Sequence, residues 1–174
     1  MAVFPKKHPE KPWTGRKRYQ KWIHKLTRKR KERRTKAEDL CVGKNNICKN
    51  DLGIPRKYMP QFETAADIKS FTRFVKKVYK IKSHRTTRKA KELRPSQDEI
   101  SRKRINGLIK DNILKKVNNP IIISGDNYIV DGHHRWAAFR LKKPEKPIPA
   151  IQIEAPVKDI LGIAVAWGAK HHEF

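Results

Sequence analysis

Asp131-Gly132-His133-His134-Arg135 places a carboxylate, two imidazoles and a guanidinium on neighbouring residues. Those side chains suit phosphate chemistry. An arginine fork clamps a phosphate through two hydrogen bonds. A histidine donates to it or transfers a proton. An aspartate at this point can cap a helix or hold a magnesium ion through water. Gly132 lets the backbone turn sharply and approach a ligand closely. If a helix starts here, its first turn adds free N–H groups and the positive end of its dipole, a ready anion site. The plainer alternative is an aspartate N-cap with two satisfied histidines. A turn holding two histidines and an arginine is too polar for packing alone.

The elements that must position this turn are legible around it. Ile121-Ile122-Ile123-Ser124 predicts a buried strand, Gly125-Asp126-Asn127 a tight turn, and Tyr128-Ile129-Val130 the partner strand. A helix opens at Gly132 and runs through HHRWAAFRL, with Pro144 and Pro147 marking its exit. Residues 148–153 predict another strand, and Pro156 begins an amphipathic helix carrying Val157, Ile160, Leu161, Ala164 and Trp167. Upstream, Thr64 can cap a helix to about Lys80, with Ile68, Phe71, Phe74, Val75 and Val78 on one face. Residues 84–94 predict a short strand. A helix follows from Ser101 to about Lys116, lined by Ile105, Leu108, Ile109 and Ile113 and stopped at Asn118-Asn119-Pro120. The result is an α+β fold, a small mixed β-sheet with packed helices. Three segments are expected: a basic arm and helix at 1–40, a loop and helix at 41–83, and the α+β domain at 84–174.

Charge sets the partner class. The 174 residues carry a formal net charge of +26. Residues 1–40 and 41–94 each hold 15 basic and 4 acidic residues, whereas 95–174 hold 13 and 9. Self-repulsion on this scale destabilises a compact state unless a polyanion relieves it, so a polyanion partner is expected for the N-terminal half. Residues 1–15 read as an extended arm, and Arg16 to about Glu38 as a helix with Tyr19, Trp22, Ile23 and Leu26 on one face. The remainder of that helix is nearly solid cation. Arg16, Lys17, Arg18, Lys21, Lys25, Arg28, Lys29, Arg30, Lys31, Arg33 and Arg34 are the candidate nucleic-acid contacts. The apolar face fades after Leu26, which favours nucleic acid over a membrane surface; DNA is expected before RNA. Trp13, Tyr19 and Trp22 could stack on bases of a single strand, though packing is their commoner use.

No apolar run approaches the roughly 20 residues that span a bilayer, and the basic N-terminus lacks the apolar stretch of a secretory signal. Cys41 and Cys48 are the only cysteines. They lack the tight pairing and four ligands of a zinc site and read as small buried packing residues. A disulfide-built scaffold is not expected, and a cytoplasmic location is.

The strand–turn–strand–DGHHRWAA pattern, preceded by LRPSQDEI at 93–100 and a helix, resembles the ParB/sulfiredoxin superfamily domain over about residues 84–165. In that family the segment matching Gly132-His133-His134-Arg135 binds nucleotide phosphates at a helix N-terminus. Sulfiredoxins carry a reactive cysteine where this chain has His133, so their thiol chemistry is not implied. The family's free-serine kinases are closer, with an Asp-Gly-x-His-Arg segment and an upstream glutamate after a proline. That likeness implies Glu99, or its neighbour Asp98, as general base, with Asp131 and His134 acting at the phosphate. It also implies magnesium with ATP or CTP as cofactors. The CVGKNNIC and GIPRKYMPQ stretches are similar to ParB-like proteins of tailed phages, commonly labelled ParB-like nucleases. The resemblance thus implies a DNA-associated protein with a nucleotide or phosphate site, acting as nuclease or phosphotransferase. Alternatives are a non-catalytic DNA-binding or packaging platform and a small-molecule kinase. Partition ParB proteins read DNA through a helix-turn-helix region. Here the contacts are expected from 1–40 and from the basic 69–94 stretch, mainly to phosphates.

Overall fold

The structure is a computed structural model, and it describes residues 39–117 and 119–171. The arm and the basic helix expected at 1–38, with every candidate contact from Arg16 to Arg34 and the aromatic residues Trp13, Tyr19 and Trp22, lie outside the described residues.

Four strands form one mixed sheet: β1 (Ser83–Lys89), β2 (Ile121–Ser124), β3 (Ile129–Asp131) and β4 (Pro147–Ile153), in the order β1-β4-β2-β3. β1 is antiparallel to β4, β4 is parallel to β2, and β2 is antiparallel to β3. Helices cover both faces of β2, so its residues are buried on both sides rather than alternating, whereas β4 alternates over its first half. Ile121, Ile123 and Ile129 turn to one side, with Ile105, Trp136 and Phe139. Ile122, Val130 and Ile153 turn to the other, with Phe71, Ile160, Leu161 and Trp167. An α+β architecture with a small mixed sheet is what the sequence predicts.

The hairpin forms where expected, with Asn127 in the left-handed region at φ 63°. Asn accepts that conformation because its short polar side chain lowers the penalty. Helix α1 (Ala65–Tyr79) begins at Thr64, whose side chain accepts the Asp67 N–H while the Asp67 carboxylate accepts the Thr64 N–H. This reciprocal cap satisfies two orphan donors. Thr64→Ala is expected to lower stability by about 1 kcal/mol, read from the shift of the urea midpoint at unchanged slope. Ile68, Phe71 and Val75 are buried, Phe74 is half-buried, and Val78 is exposed.

Helix α2 (Arg102–Lys110) starts at the Ser101 cap but is shorter than predicted. It ends at Lys110 rather than near Lys116. Asn112 takes a left-handed conformation at φ 59°, and the N–H groups of Lys115 and Lys116 both turn to its carbonyl. The apolar spacing continues through Ile113, but periodicity does not register a residue that reverses the backbone.

Helix α3 (His133–Lys142) follows Gly132, and α4 (Val157–His171) follows Pro156. The first N–H of α4 donates to Asp126 Oδ1, a cap supplied by the β2–β3 turn. No helix among the described residues is long and apolar enough to cross a membrane.

The cysteines correct the expectation of separate packing residues. Cys41 and Cys48 are buried but joined by a disulfide. Asp39 Oδ1 accepts the Cys41 N–H, Asn46 Oδ1 accepts the Cys48 N–H, and the Ile47 N–H reaches the Leu40 carbonyl. These bonds fold 40–48 back on itself and bring the two Cα atoms to 4.9 Å, within bridging range.

Candidate phosphate site

The site is built at the junction of β3 and α3. Gly132 is the N-cap of α3 at φ 95°, and it offers no side chain to cap the helix. A Cβ placed there would meet Ile121 Cγ2 at 2.5 Å and Arg135 Nη2 at 3.0 Å. Both the backbone angle and the space therefore require glycine. Trp136 anchors the helix behind this turn: it is 1% exposed, and its Nε1–H donates to the Ala90 carbonyl at 2.8 Å.

Asp131 and Arg135 face each other across one helical turn. Arg135 Nη2 donates to Asp131 Oδ2 at 3.0 Å, and Nη1 donates to the Asn119 carbonyl at 2.9 Å. Their side chains are 13% and 16% exposed. Burial pushes the Asp131 carboxyl above its usual range, against the pull of Arg135, the Gly132 N–H and Arg56.

The two histidines hold the segment carrying the acidic residues. His133 is buried, and its Nε2 accepts the Ser96 N–H at 3.1 Å, with the Gln97 N–H at 3.4 Å. His134 Nε2 accepts the Ser101 N–H at 3.2 Å. A backbone N–H can only donate, so both Nε2 atoms are unprotonated. Burial, then the cations Arg56 and Arg104, lowers the His134 pKa to about 4, while Asp39 opposes the shift. Burial holds His133 well below its ordinary value, with His134 and Arg56 adding to it. At neutral pH each ring is therefore neutral and carries its hydrogen on Nδ1. That makes His134 a hydrogen-bond donor at Nδ1, with Nε2 already committed to backbone.

Segment 96–101, so held, brings Glu99 to the same region. A second segment lies along it. The Leu52 N–H donates to the Ser96 carbonyl, and the Asp98 N–H to the Ile54 carbonyl. This parallel pairing delivers Arg56, two residues after Ile54. Arg56 is half-buried and donates to Gln61 Oε1 at 2.7 Å. Its charge is felt by Asp131, His133 and His134, and it is itself held below its ordinary pKa by burial and by Arg104, against Glu99 and Asp131. Arg104 stands in the first turn of α2 and is exposed.

The structure thus places Gly132, His133, His134 and Arg135 in one helical first turn, with Asp131 at the strand end and Glu99 within the reach of Arg56. It adds two cations that periodicity and motif spacing do not single out. Arg56 sits in a loop that the long-range 52–54/96–98 pairing brings to the site, and Arg104 stands in a run of surface cations on α2, which packs against α3. Among the described residues no group of three or more His, Cys, Asp or Glu could hold a metal ion. A magnesium ion here would therefore depend for its coordination on a ligand's own phosphates and water. Comparison with known proteins leaves this geometry to speak for itself, since no family model, no curated protein and no solved structure matches the chain.

Proposed function

We propose that this is a DNA-associated, ParB-like protein that binds a nucleotide or backbone phosphate at the N-terminus of α3 and performs phosphoryl chemistry on it, as a nuclease or a phosphotransferase. The supporting observation is the convergence of Arg56, Arg104, His134, Asp131 and Glu99, drawn from four separate stretches of chain, within one electrostatic neighbourhood. Neutral His134 donates from Nδ1. Arg56 and Arg104 supply the charge, alongside the α3 dipole. Glu99 is the proton acceptor, and Asp131 is held in place by Arg135. Magnesium with ATP or CTP would supply the charge neutralisation that phosphoryl transfer needs. The +26 chain supplies the affinity for DNA.

Titration calorimetry with ATP, CTP and short oligonucleotides tests the binding. Arg56→Ala is expected to cost about 1.5–3 kcal/mol of phosphate affinity, the worth of a charge-assisted hydrogen bond. Arg56 and Arg104 are cleaner probes than Arg135, whose removal also strips Asp131 of its partner. Glu99→Gln should spare binding and abolish turnover, measured as plasmid nicking and as transfer of label from ATP or CTP. If wild type binds no phosphate ligand, or if Arg56→Ala and Arg104→Ala bind like wild type, the reading is wrong. Phosphate binding with neither nicks nor transfer would reduce the function to a binding platform.

A further inference from the structure

Helix α1 carries a second cationic surface, apart from the α3 turn. Lys69, Arg73, Lys76 and Lys77 are exposed, as is Lys80 at the left-handed residue that closes the helix. Their spacing puts all five on one side, roughly opposite the buried Ile68, Phe71 and Val75. Like charges three and four residues apart weaken a helix. Asp67, the one acidic residue of α1, is engaged in the cap, and none of the five cations forms an ion pair among the described residues. Such a face, without an ion pair among the described residues, is the electrostatic footprint of a polyanion site.

We infer that the solvent face of α1 is a docking surface for the phosphate backbone of duplex DNA, engaged without regard to sequence. This rests on the nucleic-acid association proposed above and assigns it a surface within the folded domain. The dimensions fit. Lys69 to Lys80 covers about 16 Å of helix, and one strand of duplex presents a phosphate about every 3.4 Å along the axis. An anionic membrane fits less well. Binding in a membrane interface needs large apolar side chains beside the charges, and the exposed Val78 stands away from this cationic side.

The test uses the full chain and a labelled 25-base-pair duplex, with affinity measured by fluorescence anisotropy across a salt series. The variant carries Lys69→Gln, Arg73→Gln, Lys76→Gln and Lys77→Gln. The control carries Lys110→Gln, Lys115→Gln, Lys116→Gln and Lys142→Gln, four exposed cations elsewhere on the fold. The α1 variant is expected to flatten the log–log salt slope by about 3 to 4, since each lost phosphate contact removes about 0.9. The control should shift it by less than one contact. Equal loss in both variants overturns the docking surface and leaves the α3 site untouched. Wild type that fails to bind duplex overturns both this surface and the nucleic-acid part of the function. Vesicles containing phosphatidylserine form the second arm: an α1 variant that loses vesicle binding but keeps its DNA affinity also overturns the inference. Thermal melts of all three proteins confirm that the substitutions leave the fold intact.

Discussion

Gly132→Ala is expected to lower the unfolding free energy by about 3 kcal/mol or more. Two costs add. A non-glycine residue held at φ 95° carries strain of roughly 1–3 kcal/mol. The new methyl would stand 2.5 Å from Ile121 Cγ2, and Ile121 is fully buried in a central strand. Overpacking of that kind costs roughly 1–3 kcal/mol. Relief requires β2 or the first turn of α3 to move, so phosphate affinity should fall along with stability. Gly107→Ala is the matched control. Gly107 lies inside α2 with nothing within 4 Å of its would-be Cβ. There alanine should stabilise by about 0.5–1 kcal/mol. Urea denaturation of the two variants reads both effects. A Gly132→Ala protein within 0.5 kcal/mol of wild type would mean that the backbone at this junction is not left-handed.

Acid should weaken the fold through the two histidines. In the unfolded chain each titrates near 6.5, whereas in the native protein His134 does so at about 4 and His133 is held well below its ordinary value. Below pH 6.5 the unfolded chain therefore binds protons that the native protein refuses, and stability falls as the pH falls. Above 6.5 both states are neutral and the histidines contribute no pH dependence. At pH 4, His134 alone accounts for about 3 kcal/mol, and His133 acts in the same direction. Asp131, raised by burial, works the opposite way at the lower end of this range. Unfolding free energies at pH 7.5, 5.5 and 4.5 should therefore be compared between wild type and His134→Gln, whose amide oxygen stands about as far out as Nε2 and can still accept the Ser101 N–H. The variant should lose much of the slope between 6.5 and 4. A slope identical to wild type would show that His134 titrates normally, and hence that it is not buried against Ser101.

The parts of the fold readable from sequence are those written in neighbouring residues. The β2–β3 hairpin announces itself through three isoleucines and a serine, a Gly-Asp-Asn turn and a second apolar run. Thr64 marks the start of α1 through capping chemistry, and the structure adds Asp67 as its reciprocal partner. Asp131–Arg135 are legible as a helix-opening turn because Gly132 separates strand from helix. Contacts made across the chain are not legible. The Cys41–Cys48 bond depends on side-chain caps that fold 40–48 back on itself. The early end of α2 depends on Asn112 reversing a backbone whose apolar spacing runs on. Arg56 joins the site through the pairing of 52–54 with 96–98, and Arg104 through the packing of α2 on α3. His133 and His134 are visible as polar residues in a first turn, but their role as acceptors for Ser96 and Ser101 is a matter of tertiary geometry.

The sheet order carries a consequence for how the chain reaches its native state. β1 has β4 as its one strand neighbour, joined from Ser83–Ile153 to Lys89–Pro147, and β4 also pairs with β2. The latest in sequence of these four strands is thus the one that unites the sheet. Pairings so distant along the chain are slow to form, because a long loop must close before any contact rewards it. During synthesis β1 waits without a partner, and it waits as Ser-His-Arg-Thr-Thr-Arg-Lys. Its charge guards an unpaired edge against the wrong strand until β4 leaves the ribosome.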